Sequence, residues 1–422
     1  MPHQPIMFQK PFKAEGSQGF RQNLSELLAN QQSGLTLQQP FYNSPEIYRL
    51  EVENLLMNRW HCVGHVSSIP KAGDYFLFEF DSESVIVVRG ENGEVHAHAN
   101  VCRHRGSRIC SKQSGHANGG VLVCPYHAWV YKLDGSLRNA RMMPPEFDSG
   151  SHGLKPVNVE VAEGLIFLNL SDEPREFSVV AEMLSATAGK FGWGDAKVIH
   201  EERYSIDANW KLALENQVEC YHCGPSHPEF SRVHSQGRPN TEQITEQTRA
   251  ARGEHGIDIS PIDKWAERET RGEEAVFVER HGMFNNALTA SDGGQPVAPL
   301  MGNASGYDGL FTIMYVGQLN HFLAYSDYGA IFRYTPRSVT QTDFHVTWLV
   351  RGDAKEGVDF DKEKVTWLWR ITAAADKRIV EENQIGVNSR FYTPGPYADP
   401  IEAKTQRFID WYLSEMSLAA QA

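Results

Sequence analysis

Two short motifs, each pairing one cysteine with one histidine, most strongly constrain how this chain can fold. Cys102-Arg-His104 and Cys124-Pro-Tyr-His127 are separated by 19 residues, and each lies close to a predicted strand. Thiolate and imidazole are ligands for zinc and for iron–sulfur centres, so a fold that uses all four must bring two loops together. The sequence therefore predicts a metal centre on adjacent loops of a β-rich unit.

The spacing of these ligands favours one type of centre. Structural zinc sites usually place about two to four residues between paired ligands, whereas one residue separates Cys102 from His104. On an extended strand these two side chains would point the same way, so each motif offers one thiolate and one imidazole. This favours a two-iron cluster with Cys102 and Cys124 on one iron and His104 and His127 on the other, the Rieske arrangement. Structural zinc is the alternative.

The residues around these motifs predict a small all-β domain from about 61 to 170. Asn92-Gly93 and Asp134-Gly135 are hairpin turn signals between short apolar runs. Strands are predicted at Ser84–Arg89, Glu94–Val101, Gly120–Cys124, Val130–Leu133 and Gly164–Leu170. A helix that begins at Ser44-Pro45, with a capping residue followed by proline, precedes this domain.

A second candidate metal site lies where a predicted helix is interrupted at Gly224-Pro225. Glu219 and His222 are three residues apart, which would place them on one side of that helix, and His227 follows the interruption. Two imidazoles beside a carboxylate can hold a metal ion.

Asp376 is the best distant candidate for a further ligand of this site. It falls at the centre of the apolar arc of a helix predicted over Asp361–Asn388, among Val365, Leu368, Trp369, Thr372, Ile379 and Val380. A carboxylate in an apolar face needs a partner, either a metal or a cation such as a buried arginine. With His222 and His227, Asp376 would complete a two-histidine, one-carboxylate triad that leaves iron(II) open to O2.

The rest of the chain, from about 200 to 420, predicts an α+β unit with an antiparallel sheet and helices beside it. Strands are predicted at Arg203–Ala208, Phe311–Tyr315, His321–Tyr325, Ala330–Tyr334 and His345–Val350, and a final helix at Pro400–Ala420. Val179–Phe191 reads as a short connecting helix, and 231–275 as a long loop or mobile cover.

Charge and cysteine usage narrow the function classes. The net charge of −13 disfavours nucleic acid as a partner and is compatible with a cationic substrate, although solubility alone explains it. We expect a cytoplasmic protein, because no signal-peptide pattern and no apolar run of about 18 residues is present. Cys220 and Cys223, which flank His222, are expected to be buried reduced thiols.

Together, Cys102-x-His104, Cys124-x2-His127 and Glu219-x2-His222-x4-His227 resemble the α subunits of Rieske non-haem iron oxygenases, from about Phe41 to Trp411-Tyr412. The resemblance implies an N-terminal arm (1–43), a Rieske [2Fe-2S] domain with its leading helix (44–175) and a catalytic mononuclear-iron domain of the helix-grip type (176–422). It also implies that Asp376 is the third iron ligand.

Within that family, Glu215–Cys223 and Arg103–Cys110 look like the branch that oxidises quaternary ammonium compounds, such as the glycine betaine and stachydrine demethylating oxygenases. This implies hydroxylation of an N-methyl group with O2, release of formaldehyde, and electrons from NAD(P)H through a separate flavin and iron–sulfur reductase. A ring-hydroxylating oxygenase acting on an aromatic acid is the alternative. An electron carrier without oxygen chemistry is disfavoured by the second site, and a zinc-stabilised binding module by the ligand spacing.

The resemblance also implies a role for Glu219. In the family the subunits form a head-to-tail trimer in which the cluster of one subunit lies near the iron of its neighbour, and an acid links a ligand histidine on each. Most members carry aspartate at this position, whereas the quaternary-ammonium branch shares the glutamate. The expected path runs from His104 or His127 through Glu219 to His222.

Aromatic residues are expected to surround both sites. Trp129 and Tyr126 would shield the cluster, with simple packing as the alternative. A cationic headgroup favours an aromatic cage, for which Phe284, Tyr315 and Phe322 are conceivable walls, as is Tyr325; core packing is the alternative for each.

Overall fold

The structure, a computed structural model, describes residues 16–253, 255–257 and 274–421. Within this part of the chain the helices are α1 (Gly16–Ala29), α2 (Pro40–Asn43), α3 (Pro45–Glu51), α4 (Ser178–Ala186), α5 (Trp210–Val218), α6 (Cys223–Ser226), α7 (Pro228–Val233), α8 (Thr241–Arg252), α9 (Lys362–Val387) and α10 (Ala403–Gln421). A π-helical turn, Val52–Leu56, continues α3.

The strands form four sheets in which all described pairs are antiparallel. They are β1 (His61–His65), β2 (Asp74–Phe80), β3 (Glu83–Arg89), β4 (Val95–Ala99), β5 (Ser114–His116), β6 (Val121–Val123), β7 (Val130–Lys132), β8 (Leu137–Asn139), β9 (Asn158–Ala162), β10 (Leu165–Asn169), β11 (Ala196–Ile206), β12 (Val276–Gly282), β13 (Leu310–Val316), β14 (Asn320–Ala324), β15 (Gly329–Ser338) and β16 (Gln341–Arg351). The sheet orders are β1-β10-β9, β4-β3-β2-β5, β6-β7-β8 and β11-β16-β15-β14-β13-β12.

The first three sheets confirm the predicted all-β domain. The β3–β4 hairpin turns at Gly93, whose φ of +84° suits a residue without a Cβ. Sheet β6-β7-β8 carries the second cysteine–histidine motif between its first two strands, and β4 leads towards the first motif. Leu122, Trp129 and Tyr131 pack between these elements, so the two motifs sit over one apolar cluster.

The six-stranded sheet and α9 form the predicted α+β unit. Asp361 caps α9 by accepting a hydrogen bond from the backbone N–H of Glu363 at 3.0 Å. The buried face of α9 lies on the sheet, where the rings of Trp369 and Phe332 are 4.8 Å apart. Asp376 lies on that same buried face, so the helix carries the predicted ligand towards the interior.

Several element boundaries differ from the predictions. The region predicted as a loop over 231–275 contains α7 and α8, and residues 258–273 lie outside the described part of the chain. α8 is polar almost throughout, with Thr245 as its buried residue, so it lacks the apolar stripe that signals a helix. β11 begins at Ala196, before the predicted start at Arg203. The prediction missed the first half of this strand because most of its side chains are only partly buried and several are polar, so the apolar alternation is weak there.

The connection between the units is built on α4, which is shorter than predicted because a 3₁₀ turn, Ala188–Phe191, follows it. The apolar cluster around α4 includes residues of β10 and of β13, so the all-β domain and the six-stranded sheet share packing. The division into 1–43, 44–175 and 176–422 stays a prediction. In the described residues no helix is long and apolar enough to cross a membrane.

Candidate metal centres

Each cysteine–histidine motif lies in a tight turn. The backbone N–H of Gly106 donates to the carbonyl of Cys102 at 2.9 Å, and that of Ala128 donates to the carbonyl of Cys124 at 3.1 Å. The expectation that Cys102–His104 is extended is therefore wrong. The turn still separates the ligand types, because it directs the thiol inward while the imidazole stays at the surface.

The four side chains come together as the spacing predicted. Cys102 and Cys124 are 3% and 1% exposed, whereas His104 and His127 are exposed, and the Nδ1 atoms of the two rings face each other 3.1 Å apart. Two buried thiols beneath two converging imidazole nitrogens fit a two-iron cluster with mixed ligands. The donor set could therefore hold the cluster without rearrangement of the fold.

Aromatic side chains enclose this centre. Trp129 is buried and stacks on the ring of His104 at a centroid distance of 4.9 Å, while Tyr126 stacks on His127 at 3.8 Å but is itself 55% exposed. The hydroxyl of Tyr131 lies 3.2 Å from Sγ of Cys102, a contact that the sequence analysis missed. This contact had a sequence signal: side chains two residues apart in an extended segment share one face, which places Tyr131 on the same side as Trp129.

The second candidate site begins where α5 ends. The helix stops at Val218, and Glu219 is extended, with φ −118° and ψ 170°. The expectation that Glu219 and His222 share a helical face is therefore wrong. Instead, the carboxylate of Glu219 accepts hydrogen bonds from the backbone N–H groups of Tyr221 and His222 and lies 2.5 Å from Nδ1 of His222.

His222, His227 and Asp376 converge across more than 150 residues of sequence. Oδ1 of Asp376 lies 3.3 Å from Nε2 of His222 and 2.8 Å from Nε2 of His227, and the three ligand atoms lie within 4.8 Å of one another. His227 is 2% exposed, its Nε2 faces the carboxylate of Asp376, and its Nδ1 lacks a hydrogen-bonding partner among the described residues. Two imidazole nitrogens that converge on one carboxylate fit a bound cation.

The electrostatics of the triad favour a positive charge held between its side chains. Burial lowers the pKa of His222, but hydrogen bonds to Asp376 and Glu219 outweigh it and raise the pKa to about 9. Burial raises the pKa of Asp376, yet the two imidazoles hold that pKa below its usual value. The partners of Asp376 in the described structure are these histidines rather than the arginine considered as the alternative.

The cysteines beside His222 differ from the expectation. Cys220 and Cys223 form a disulfide, so their prediction as reduced thiols is wrong. The two cysteines are three residues apart, and their Cα atoms lie 4.9 Å from each other, within the range that a disulfide spans.

A cavity of about 160 Å³ opens beside the triad. Of the four suggested aromatic walls, Tyr315 lines it, whereas Phe322 and Tyr325 are fully buried core residues. Phe284 lies under the guanidinium of Arg238 at 3.5 Å. Two further aromatic residues that were not predicted, Phe230 and Trp369, also line the cavity. Trp369 precedes Asp376 by two helical turns, and this spacing was an available signal.

Comparison with known proteins agrees with both centres. The sequence model described as a Rieske [2Fe-2S] domain matches residues 59–159, and the one described as ring hydroxylating alpha subunit (catalytic domain) matches residues 193–418. The glycine betaine monooxygenase oxygenase subunit of Chromohalobacter salexigens is 35% identical over 405 residues, covering 94% of this chain and 89% of that protein.

The chain belongs to the Rieske non-haem iron oxygenase α subunits.

Other relatives of this oxygenase α subunit point the same way. The carnitine monooxygenase oxygenase subunit of Escherichia coli K12 is 29% identical, covering 86% of this chain and 87% of that protein. The crystal structure of the quaternary ammonium Rieske monooxygenase CntA in complex with L-carnitine shares the fold, with a TM-score of 0.67 at 23% identity over 92% of this chain and 97% of that one.

The family assignment confirms the predicted fold class, enzyme class and cofactors. This oxygenase α subunit uses a Rieske [2Fe-2S] cluster and a mononuclear iron, with O2 as its co-substrate and NAD(P)H as the ultimate electron source. The cluster-type domain and the iron domain correspond to the all-β unit and to the α+β unit, respectively.

Proposed function

We propose that this chain is the oxygenase component of a two-component monooxygenase that removes an N-methyl group from a betaine-like quaternary ammonium compound. One O2, two electrons and two protons convert the methyl group and its amine into formaldehyde, water and the demethylated amine. The carrying observation is the triad of His222, His227 and Asp376 beside a cavity with aromatic walls. The 35% identity of the chain to a glycine betaine monooxygenase oxygenase subunit supports this substrate class.

We assign the seven candidate ligands to two separate centres, a [2Fe-2S] cluster and a mononuclear iron. The cluster ligands are Cys102, His104, Cys124 and His127, and the iron ligands are His222, His227 and Asp376. When bound, the cluster supplies single electrons and the iron supplies the site of O2 activation. The converging Nδ1 atoms of His104 and His127, and the convergence of His222 and His227 on the carboxylate of Asp376, support this division.

Glu219 has the role of a positioning residue. Its carboxylate accepts the Nδ1–H of His222, which holds that ring in the tautomer that leaves Nε2 free beside Asp376. Because it also accepts two backbone N–H groups, the carboxylate is fixed at the end of α5. In a head-to-tail homotrimer, the same carboxylate would contact His104 or His127 of a neighbouring copy.

The cavity suits a small cationic substrate. Phe230, Tyr315 and Trp369 present ring surface to it, and a quaternary ammonium over aromatic faces gains roughly 0.5–2 kcal/mol per contact. We place the protein in the cytoplasm, and its electron donor is a separate flavin and iron–sulfur reductase. The names of its relatives, which are oxygenase subunits, support that partner.

A turnover assay tests the reaction. The purified protein, with a generic reductase and NAD(P)H, is incubated with betaines, choline, carnitine and aromatic acids, and formaldehyde is measured beside phenols and diols. We expect formaldehyde in amounts equal to the demethylated amine. Phenol or diol formation from an aromatic acid, without formaldehyde from any quaternary amine, would show a ring-hydroxylating oxygenase instead.

Metal analysis tests the assignment of the two centres. We expect about three irons per chain, two of them with acid-labile sulfide. His222→Ala should abolish turnover while the cluster spectrum stays intact, and Cys124→Ser should remove that spectrum. Zinc without sulfide in the wild-type protein would contradict the assignment.

A further inference from the structure

The cavity beside the triad contains one strongly basic side chain. Among the described residues that line it, Lys404 is the single lysine or arginine. Lys404 lies in the first turn of α10, and its side chain is 29% exposed. The same lining includes two carboxylates, those of the candidate ligand Asp376 and of the positioning residue Glu219. The described lining therefore has one lysine among acidic, aromatic, imidazole and uncharged side chains.

Glu279 holds this lysine in place from behind the cavity wall. It forms an ion pair with Nζ of Lys404, and its other carboxylate oxygen lies 3.1 Å from Nε2 of His281. Burial raises the pKa of Glu279, but Lys404 and His281 lower it to about 2, so this carboxylate is ionised at neutral pH. An ammonium group has three N–H donors, and Glu279, which does not line the cavity, takes one of them.

The ammonium group of Lys404 would stabilise the carboxylate of a ligand bound in this cavity. Moving a carboxylate from water into a small cavity is unfavourable unless a charged donor meets it there. Lys404 is such a donor, whereas Glu219 and Asp376 would repel an anion placed near the metal. A ligand that carries both charges can thus enter with its carboxylate towards α10 and its ammonium towards Phe230 and Trp369.

We propose that Lys404 binds the carboxylate of a zwitterionic substrate, so that the protein selects betaines over quaternary ammonium alcohols. A ligand without a carboxylate gains nothing from Lys404, and its positive charge is repelled by the ammonium group. This inference rests on the proposed function, because it names the part of the substrate that the triad does not contact.

Arg407 offers a matched control on the same helix. Both Lys404 and Arg407 place their cationic groups over the ring of Phe277, at 5.6 Å and 5.7 Å from its centroid. Arg407 does not line the cavity beside the triad; it lines a neighbouring cavity of about 130 Å³. Arg407→Met therefore removes the same charge from the same helix without removing a donor from the proposed site.

The test measures binding to the iron-loaded protein by titration calorimetry without O2, with glycine betaine and choline as matched ligands. In Lys404→Met we expect affinity for glycine betaine to fall at least about tenfold and affinity for choline to stay within about twofold or improve. Arg407→Met should bind both ligands as the wild type does. In turnover, Lys404→Met should raise KM for glycine betaine more than it lowers kcat.

A double variant separates binding from folding. Lys404→Met alone leaves Glu279 without its cation, whereas Lys404→Met/Glu279→Gln removes both charges together.

Equal losses of affinity for glycine betaine and for choline in both variants would show a structural role and overturn the inference. Unchanged affinity for glycine betaine would overturn it as well. If the wild type binds glycine betaine but releases no formaldehyde, the proposed function fails while the role of Lys404 is still decided by affinity. A wild type that binds neither ligand overturns both.

Discussion

Glu219 organises the metal-binding turn by accepting several hydrogen bonds at once. Its two oxygens meet the backbone N–H groups of Tyr221 and His222 and the Nδ1 of the His222 ring. The carboxylate thus fixes the backbone of the turn that follows α5, and it also orients the ring of the candidate ligand His222. A substitution of Glu219 therefore acts on the orientation of His222.

Glu219→Gln removes the negative charge and keeps the shape. We expect iron content and the cluster spectrum to stay unchanged, whereas formaldehyde formation falls by about 10–100-fold, because the ring of His222 loses its charged orienting partner. Metal analysis and single-turnover kinetics check this. Glu53→Gln, at an exposed position, is the control. Full activity in Glu219→Gln would refute the positioning role.

Glu215, four residues before Glu219 and near the end of α5, is a partly buried acid with a shifted pKa. Tyr42 donates to it at 2.7 Å and Tyr397 at 3.3 Å. Burial raises its pKa to about 7 from the model-compound value of 4.5, although the two hydrogen bonds oppose the shift. The folded protein therefore binds more protons than the unfolded chain between these values.

The sign of this shift predicts a pH dependence. Since the pKa is raised on folding, the contribution of Glu215 to stability is present below about pH 4.5 and is lost as pH rises to about 7. The loss amounts to about 3 kcal/mol. Glu215→Gln should remove it, so that urea unfolding at pH 8 requires more denaturant than in the wild type, with little difference at pH 5. Parallel pH profiles of the two proteins would contradict this.

At the scale of elements, Glu51 joins three helices. Its carboxylate, at the end of α3, accepts from Nζ of Lys211 at 2.6 Å and Nε1 of Trp210 at 2.8 Å, both on α5, and from the hydroxyl of Tyr412 on α10 at 2.5 Å. Glu51 and Lys211 are both 0% exposed. The N-terminal and C-terminal helices are thereby held against the helix that leads to the metal-binding turn.

Removing one partner of the Glu51–Lys211 ion pair should lower the free energy of unfolding more than removing both partners together. Glu51→Gln leaves the ammonium of Lys211 buried without its hydrogen-bonded carboxylate, and we expect the free energy of unfolding to fall by about 3–5 kcal/mol. Glu51→Gln/Lys211→Met should recover much of that loss. Denaturant titrations of the wild type, both single variants and the double variant check this; additive losses in the double variant would show that the two charges are not coupled.

At the scale of the whole molecule, exposed apolar side chains gather near both metal centres. Val101, Val123 and Tyr126, next to the cluster ligands, are 44%, 47% and 55% exposed, and Tyr221, next to Glu219, is 60% exposed. Large apolar side chains left in water beside functional groups are typical of protein–protein interfaces. This is consistent with the proposed contact between the cluster of one copy and the iron site of another.

We expect a solution mass of about three times 47.5 kDa. Tyr126→Glu should shift the protein towards the monomer and abolish steady-state turnover, while the cluster spectrum and iron content stay unchanged, because electrons then lack a path between copies. Light scattering and formaldehyde release measure the two effects. Val358→Glu, at another exposed apolar position, is the control. A fully active monomer would contradict the inter-subunit path.

The predictable features of this molecule depended on local chemistry. The cluster residues were recognisable because ligand type and spacing within a few residues are constrained by the metal itself. Asp376 was recognisable because a carboxylate inside an apolar helical arc requires a partner. Hairpin signals such as Asn92-Gly93 likewise act over a few residues and predicted the small β domain.

Features that depend on contacts between distant segments needed the tertiary structure. The pairing of Lys404 with Glu279 and the meeting of Phe230, Tyr315 and Trp369 at one cavity follow from segments far apart in sequence packing together. Local patterns fit more than one outcome at such positions, because packing selects among charge partners and cavity walls of similar intrinsic stability. The end of α5 at Val218 and the Cys220–Cys223 disulfide are local, but the residue pattern there fits a helix and a turn equally well. The sequence alone thus determined which chemistry this protein can perform, and the tertiary structure decided which side chains surround its substrate.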